Sequence, residues 1–169
     1  LAEGNTPLYR SSALARYAGL EDLCLKHEGL NPTGSFKDRG MTVAVSRALA
    51  SGARVLACAS TGNTAASLAA YSAAAGVRAV VLAPEGGTAL GKLAQAVAYG
   101  ARTLLVRGDF DRALELVRGL AGRGVVALLN SVNPFRIEGQ KSIVLELLQQ
   151  LGWSPPDWIV FPAGNLGNC

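Results

Sequence analysis

Lys37 has the most suggestive chemical surroundings in the chain. It lies in the run Asn31-Pro-Thr-Gly-Ser-Phe-Lys-Asp-Arg-Gly40. Pro32 and Gly34 punctuate a loop, and Lys37 opens a helical stretch. A helix N-terminus disfavours an ammonium charge, so the pKa of Lys37 should fall. A lysine of lowered pKa is the nucleophile needed for a Schiff base with an aldehyde. The second segment is Ser60-Thr-Gly-Asn-Thr64, between an apolar run and an alanine-rich helix. Hydroxyls, backbone N–H groups and the helix dipole converge there, which makes a cradle for a carboxylate or phosphate. Ser60 or Thr61 could equally serve only to cap the helix. The third is Pro162-Ala-Gly-Asn-Leu-Gly-Asn168, where backbone N–H groups can face a phosphate or simply form a tight turn. It is neither Gly-x-Gly-x-x-Gly nor a P-loop. The fourth is Asn130-Ser-Val-Asn-Pro-Phe-Arg-Ile-Glu-Gly-Gln-Lys141, in which Arg136 could clamp an anion in bidentate fashion or form a surface ion pair.

These segments need a scaffold, and the intervening pattern supplies one. Strands are expected at 23–26, 54–59, 79–83, 103–106, 125–129 and 158–161. Helices are expected at 37–50, 63–75, 90–99, 110–120 and 138–151. Strands alternating with helices imply βαβ units and a parallel sheet covered on both faces, an α/β fold. The segment 52–130 holds four strands and could form a smaller lobe. Residues 1–51 and 131–169 would then belong to a larger one. In such sheets ligands sit at the carboxyl ends of strands, near helix N-termini, and three of the four segments fall at such places.

Composition excludes several classes. Half of the 169 residues are hydrophobic and 17% are charged, so the chain can bury a core. The net charge of +4 is scattered, without the basic stripe of a nucleic-acid binder. Cys24, Cys58 and Cys169 are odd in number and far apart, which argues against a disulfide scaffold or a metal centre and for reduced thiols in a cytoplasmic protein. No run of 18 apolar residues suggests a membrane span. His27, the one histidine, is expected to be structural. The chain starts at Leu1 inside the phrase Glu3-Gly-Asn-Thr-Pro-Leu8 and stops at Cys169 just after the glycine-asparagine loop. Both ends look cut, and a fragment of a longer chain is expected.

Taken together and in this order, Gly4-Asn-Thr-Pro-Leu8, the Lys37 decapeptide, Ser60-Thr-Gly-Asn-Thr64 and Gly164-Asn-Leu-Gly-Asn168 resemble the fold-type II family of pyridoxal-phosphate enzymes. Within it, Gly-Ser-Phe-Lys-Asp-Arg-Gly, Ser-Thr-Gly-Asn-Thr and Asn130-Ser-Val-Asn-Pro-Phe-Arg-Ile-Glu-Gly-Gln140 are similar to the threonine synthase branch. Serine/threonine dehydratases usually carry Ser-x-Lys-x-Arg-Gly and Ser-Ser-Gly-Asn-His. The resemblance implies a two-lobed fold whose smaller lobe closes on substrate, a homodimer, and pyridoxal 5'-phosphate as cofactor. It implies conversion of O-phospho-L-homoserine and water to L-threonine and phosphate by β,γ-elimination and replacement. Lys37 would form the Schiff base and then act as general acid/base, with Phe36 packed beside the cofactor and Asn63 on its phenolic oxygen. Gly164, Asn165, Leu166, Gly167 and Asn168 would wrap the cofactor phosphate. Ser60, Thr61 and Gly62 would hold the substrate carboxylate, and Thr64, Asn130, Ser131 and Arg136 its phosphate. A Ser or Thr from a later segment would face the pyridine nitrogen. Another fold-type II lyase, such as a serine/threonine dehydratase, is the near alternative. A non-enzymatic α/β module for a phosphorylated ligand is the distant one.

Overall fold

The structure is a computed structural model, and it describes residues 1–86, 90–162 and 167. Leu8–Arg10 (β1) pairs antiparallel with Cys24–Lys26 (β2), and Ser12–Ala18 (α1) lies between them. Ser11 caps α1 by accepting from the Leu14 N–H, and Gly19 ends it at φ +69°. Then follow Lys37–Ala50 (α2), Val55–Ala59 (β3), Asn63–Ala74 (α3), Arg78–Pro84 (β4), Leu90–Ala98 (α4), Arg102–Val106 (β5), Phe110–Gly122 (α5), Ala127–Leu128 (β6), Pro134–Gln140 (α6) and Ser142–Gln150 (α7).

The four later strands form one parallel sheet in the order β5-β4-β3-β6. Parallel neighbours need a crossover, and α3, α4 and α5 supply it. Alternation along each strand builds two cores. Leu56, Cys58, Ala79 and Val81 face α2, α3 and α4, where they meet Met41, Val45, Leu68 and Ala96. Ala57, Ala59 and Leu82 face α5 and meet Ala113 and Val117. The sheet is therefore covered on both faces, and the parallel α/β expectation holds.

Two contacts fix α2, the helix that Lys37 opens. The first is a crossing with α6 at two glycines. A Cβ on Gly139 would lie 2.2 Å from the Arg39 carbonyl oxygen, and one on Gly40 would lie 2.5 Å from that of Arg136. The second is an ion cluster. Arg39, 3% exposed, pairs with Glu28 at 2.7 Å and Glu146 at 2.9 Å, and Lys26 also pairs with Glu146. Glu146 accepts the N–H groups of Asn5 and Thr6 at 2.8 and 2.9 Å. Burial pushes the Glu146 carboxyl up, but Arg39, Lys26 and the Asn5 N–H outweigh it and hold the pKa at about 2.

Helix 37–50 has the expected bounds, and helices 63–74 and 90–98 end one residue early. Two expectations are corrected. Residues 158–161 form no strand: among the described residues no strand edge pairs with them, and Trp158 and Val160 stay exposed. An extended run becomes a strand only where a neighbour takes its hydrogen bonds. The single helix 138–151 is two helices that meet at Lys141. The earlier start has a local cause, since Asn133 accepts the Phe135 N–H and Pro134 occupies the first helical turn. β2 falls within the strand expected at 23–26, whereas β1 and α1 are additions, too short to announce themselves by periodicity. His27 packs tilted against Tyr9, with ring centroids 6.0 Å apart.

Candidate active site

The loop before α2 is shaped by its own first turn. Asp38, fully buried, accepts the Thr33 N–H at 2.7 Å and the Thr33 hydroxyl at 2.6 Å. Ser35 Oγ accepts the Lys37 N–H at 3.3 Å, and Gly34 turns the chain at φ +80°. The half-buried Lys37 places Nζ 4.1 Å from the centroid of the Phe36 ring. Its pKa is depressed to about 8, first by burial and then by the charge of Arg136. Burial and a neighbouring cation thus act on Lys37 in addition to its place at the helix N-terminus.

Arg136, on α6, is 1% exposed. Its Nη1 donates to the Leu129 carbonyl at 3.3 Å, whereas Nε and Nη2 are buried and have no hydrogen-bond partner among the described residues. Burial lowers its pKa. A buried guanidinium with two donors unmatched is costly unless an anion completes it. Burial likewise pushes the thiol of the neighbouring Cys58 up to about 12, against the opposing charge of Arg136.

The strand order explains where the next segments meet. The chain leaves β3 toward β4 and β5 on one side and returns to β6 on the other. Strand order reverses at β3, and ligands in open parallel sheets bind at such a point, beyond the carboxyl ends. The loop from Ser60 follows β3, and the turn from Asn130 follows β6. Asn130 joins them directly: Oδ1 accepts the Ala59 N–H at 2.9 Å and Nδ2 donates to the Ala59 carbonyl at 2.8 Å. Its amide thereby extends the β3–β6 pairing. Ser60 Oγ accepts the N–H groups of Gly62 and Ala65 at 3.2 and 3.3 Å, which caps α3. Its own hydroxyl hydrogen serves neither bond. Thr61, Gly62, Asn63 and Thr64 are half-buried, a Cβ on Gly62 would meet nothing within 4 Å, and Asn63 Oδ1 is buried without a partner among the described residues. Ser131 is exposed.

Gly164, Asn165, Leu166 and Asn168 lie outside the described residues; Gly167 is half-buried in a turn. Sequence reasoning missed Asp38, Lys92 and Gln95. Lys92 Nζ and Gln95 Nε2 both donate to the Thr33 carbonyl, at 3.2 and 3.5 Å. An acid in the first turn of a helix was a usable signal for Asp38. Nothing local pointed from α4 to Thr33.

All 169 residues match the family described as Pyridoxal-phosphate dependent enzyme, and the chain belongs to it. It is 58% identical to a threonine synthase of Methanocaldococcus jannaschii over 99% of this chain and 42% of that one. It is 54% identical to a threonine synthase of Mycobacterium tuberculosis over 99% of this chain and 46% of that one. The chain thus spans less than half the length of these curated relatives. Among solved structures, a pyridoxal 5'-phosphate-dependent aspartate racemase superposes with a TM-score of 0.77 at 31% identity, covering 87% of this chain and 46% of that one. Escherichia coli diaminopropionate ammonia lyase superposes at 0.80 with 18% identity, over 91% of this chain and 50% of that one, and so shares the fold. The fold is that of the fold-type II enzymes, and the family's cofactor is pyridoxal phosphate. The described residues fit that group: a half-buried lysine of pKa about 8, an aromatic ring against it, and an orphaned Asn63 amide oxygen beside open space at Gly62. Among the described residues no helix is long and apolar enough to cross a membrane.

Proposed function

We propose that the protein is a threonine synthase, converting O-phospho-L-homoserine and water to L-threonine and phosphate. The observation that carries this reading is Arg136, a buried cation with two donors unmatched among the described residues and a charge that acts on Lys37. A phosphorylated substrate supplies the anion that such a guanidinium needs, bound in bidentate geometry. A hydroxy amino acid without phosphate, the substrate of a dehydratase, leaves it unmatched. The identity to threonine synthases supports the same choice.

Bound pyridoxal phosphate supplies the electron sink for carbanion chemistry. Lys37 would hold the cofactor and serve as the general acid/base that moves protons off and back onto the substrate carbons, giving up each proton before it takes the next. A pKa near 8 suits a base working near neutrality. Phe36 would flank the cofactor, Asn63 would bond its phenolic oxygen, and the glycine-asparagine segment 164–168, expected from the resemblance, would hold its phosphate. Ser60, through its unused hydroxyl hydrogen, joins Thr61 and Gly62 on the substrate carboxylate at the N-terminus of α3. Thr64, Ser131 and Arg136 hold the substrate phosphate and stabilise it as it departs. Asn130 belongs to the same group: its amide holds the carboxyl ends of β3 and β6 together through one N–H and the oxygen, which leaves its second amide hydrogen for that phosphate.

In this reading residues 52–130 are the smaller, closing lobe, and 1–51 with 131–169 are part of the larger one. The sheet drawn from 55–128 supports the division. The resemblance extends the reading to a homodimer in the cytoplasm. The test is to assay the full-length protein for phosphate release from O-phospho-L-homoserine and for 2-oxo acid from threonine. Phosphate should dominate, and dominant oxo acid sinks the proposal. The absorbance band of lysine-linked cofactor should vanish in Lys37→Ala; a full-length protein that never shows the band removes Lys37 from the role.

A further inference from the structure

We propose that Lys92 and Gln95 of α4 are positioning residues for Lys37, acting through the carbonyl of Thr33. The inference rests on the assignment of Lys37 as the reactive lysine. Thr33 is 2% exposed and stands in the loop that delivers Lys37 to the start of α2. Both of its donors go to Asp38, on the helix itself. Its backbone carbonyl goes to α4, where Lys92 Nζ lies at 3.2 Å and Gln95 Nε2 at 3.5 Å. Lys92 also donates to Gln95 Oε1 at 3.4 Å, which couples the two side chains one helical turn apart. The Thr33 peptide is therefore gripped from both sides, and every hydrogen-bonding group of the residue is engaged.

The grip falls where the loop is easiest to move. Gly34 follows at φ +80°, a conformation open to glycine and poorly held by its own side chain. Within the loop the Asn31 carbonyl accepts the Gly34 N–H at 2.8 Å, and Asp38 holds Thr33 just before the turn. A Cβ on Gly34 would lie 3.7 Å from Lys92 Nζ, so the ammonium sits directly over it. A charged donor on a carbonyl makes a stronger bond than a neutral one, which is a reason for lysine here. The consequence is mechanical. The helix that follows β4 is tied to the loop that carries Lys37, so a shift of α4 removes both external donors from Thr33 and changes the setting of the lysine.

The test uses the full-length protein, with and without cofactor, as wild type, Lys92→Met/Gln95→Leu and Lys92→Arg. Amide hydrogen exchange at Thr33 and Gly34 should run about tenfold faster in the double variant, the effect of losing one charge-assisted bond, with α5 amides unchanged. The rate at which stripped protein links added cofactor should fall with it, and Lys92→Arg should restore both. Unchanged exchange in the double variant overturns the proposal. So does a raised KM for O-phospho-L-homoserine with normal exchange, since Lys92 would then touch substrate. If wild type links no cofactor, the assignment of Lys37 fails, while the exchange rates still decide the grip of α4 on Thr33.

Discussion

Gly139→Ala tests the geometry on which the site depends. The added Cβ would lie 2.2 Å from the Arg39 carbonyl oxygen, 2.7 Å from Gly40 Cα and 2.9 Å from the Arg39 carbonyl carbon. All three atoms are backbone, so no rotamer change relieves the contact. Non-bonded heavy atoms settle at about 3.5–4.0 Å, and α2 and α6 must part by roughly 1 Å or more. Overpacking of this kind costs about 1–3 kcal/mol, and a backbone obstacle places it at the upper end. Gly119, inside α5, is the matched control, because a Cβ there meets nothing within 4 Å. Alanine for glycine in a helix gains about 1 kcal/mol of propensity at either position. The difference between the two variants therefore isolates the clash. Urea unfolding of the cofactor-free full-length protein, followed by circular dichroism, should place Gly119→Ala at or above wild type and Gly139→Ala about 2–3 kcal/mol below Gly119→Ala. Equal midpoints for the two variants would refute the backbone-to-backbone crossing. The functional corollary follows from Arg136 on the same helix: parting α6 from α2 carries that cation away from Lys37.

Two further predictions concern charge. Arg136→Gln should raise the pKa of Lys37 above about 8, because it removes the repulsion that adds to burial; the pH midpoint for labelling Lys37 with an amine reagent reports it, and an unmoved midpoint separates the two residues. Glu146→Gln should destabilise the protein at pH 7 by about 2 kcal/mol, the scale of hydrogen bonds to charged groups. The native carboxyl titrates at about 2 against its usual 4.5, so its stabilisation is complete above pH 4.5. The gap to wild type should therefore close as pH falls from about 4.5 to about 2, and a gap independent of pH contradicts the ion cluster.

What could be known from the sequence alone was local. Apolar spacing placed α2, α3 and α4, because a helix repeats its face within a few residues and declares its period in a short window. The alternation of elements implied a parallel sheet, and chemical types in a row singled out Lys37, Ser60–Thr64 and the segment from Asn130. The tertiary structure decided the rest. The position of β6 beside β3, which brings the turn at Asn130 to the loop at Ser60, is a choice among strand orders made by packing over seventy residues. That the Asn130 amide joins β3 to β6 by meeting the Ala59 backbone at both ends is likewise decided by the fold. Arg136 could be a surface ion pair until the glycine crossing of α2 and α6 buried it. Residues 158–161 carry a strand's composition but no strand, since composition expresses a preference and pairing needs a partner. The chemistry of Lys37 divides the same way. Its neighbours in sequence made it a candidate nucleophile, but burial and a cation ninety-nine positions away lower its pKa, and only the fold brings them together.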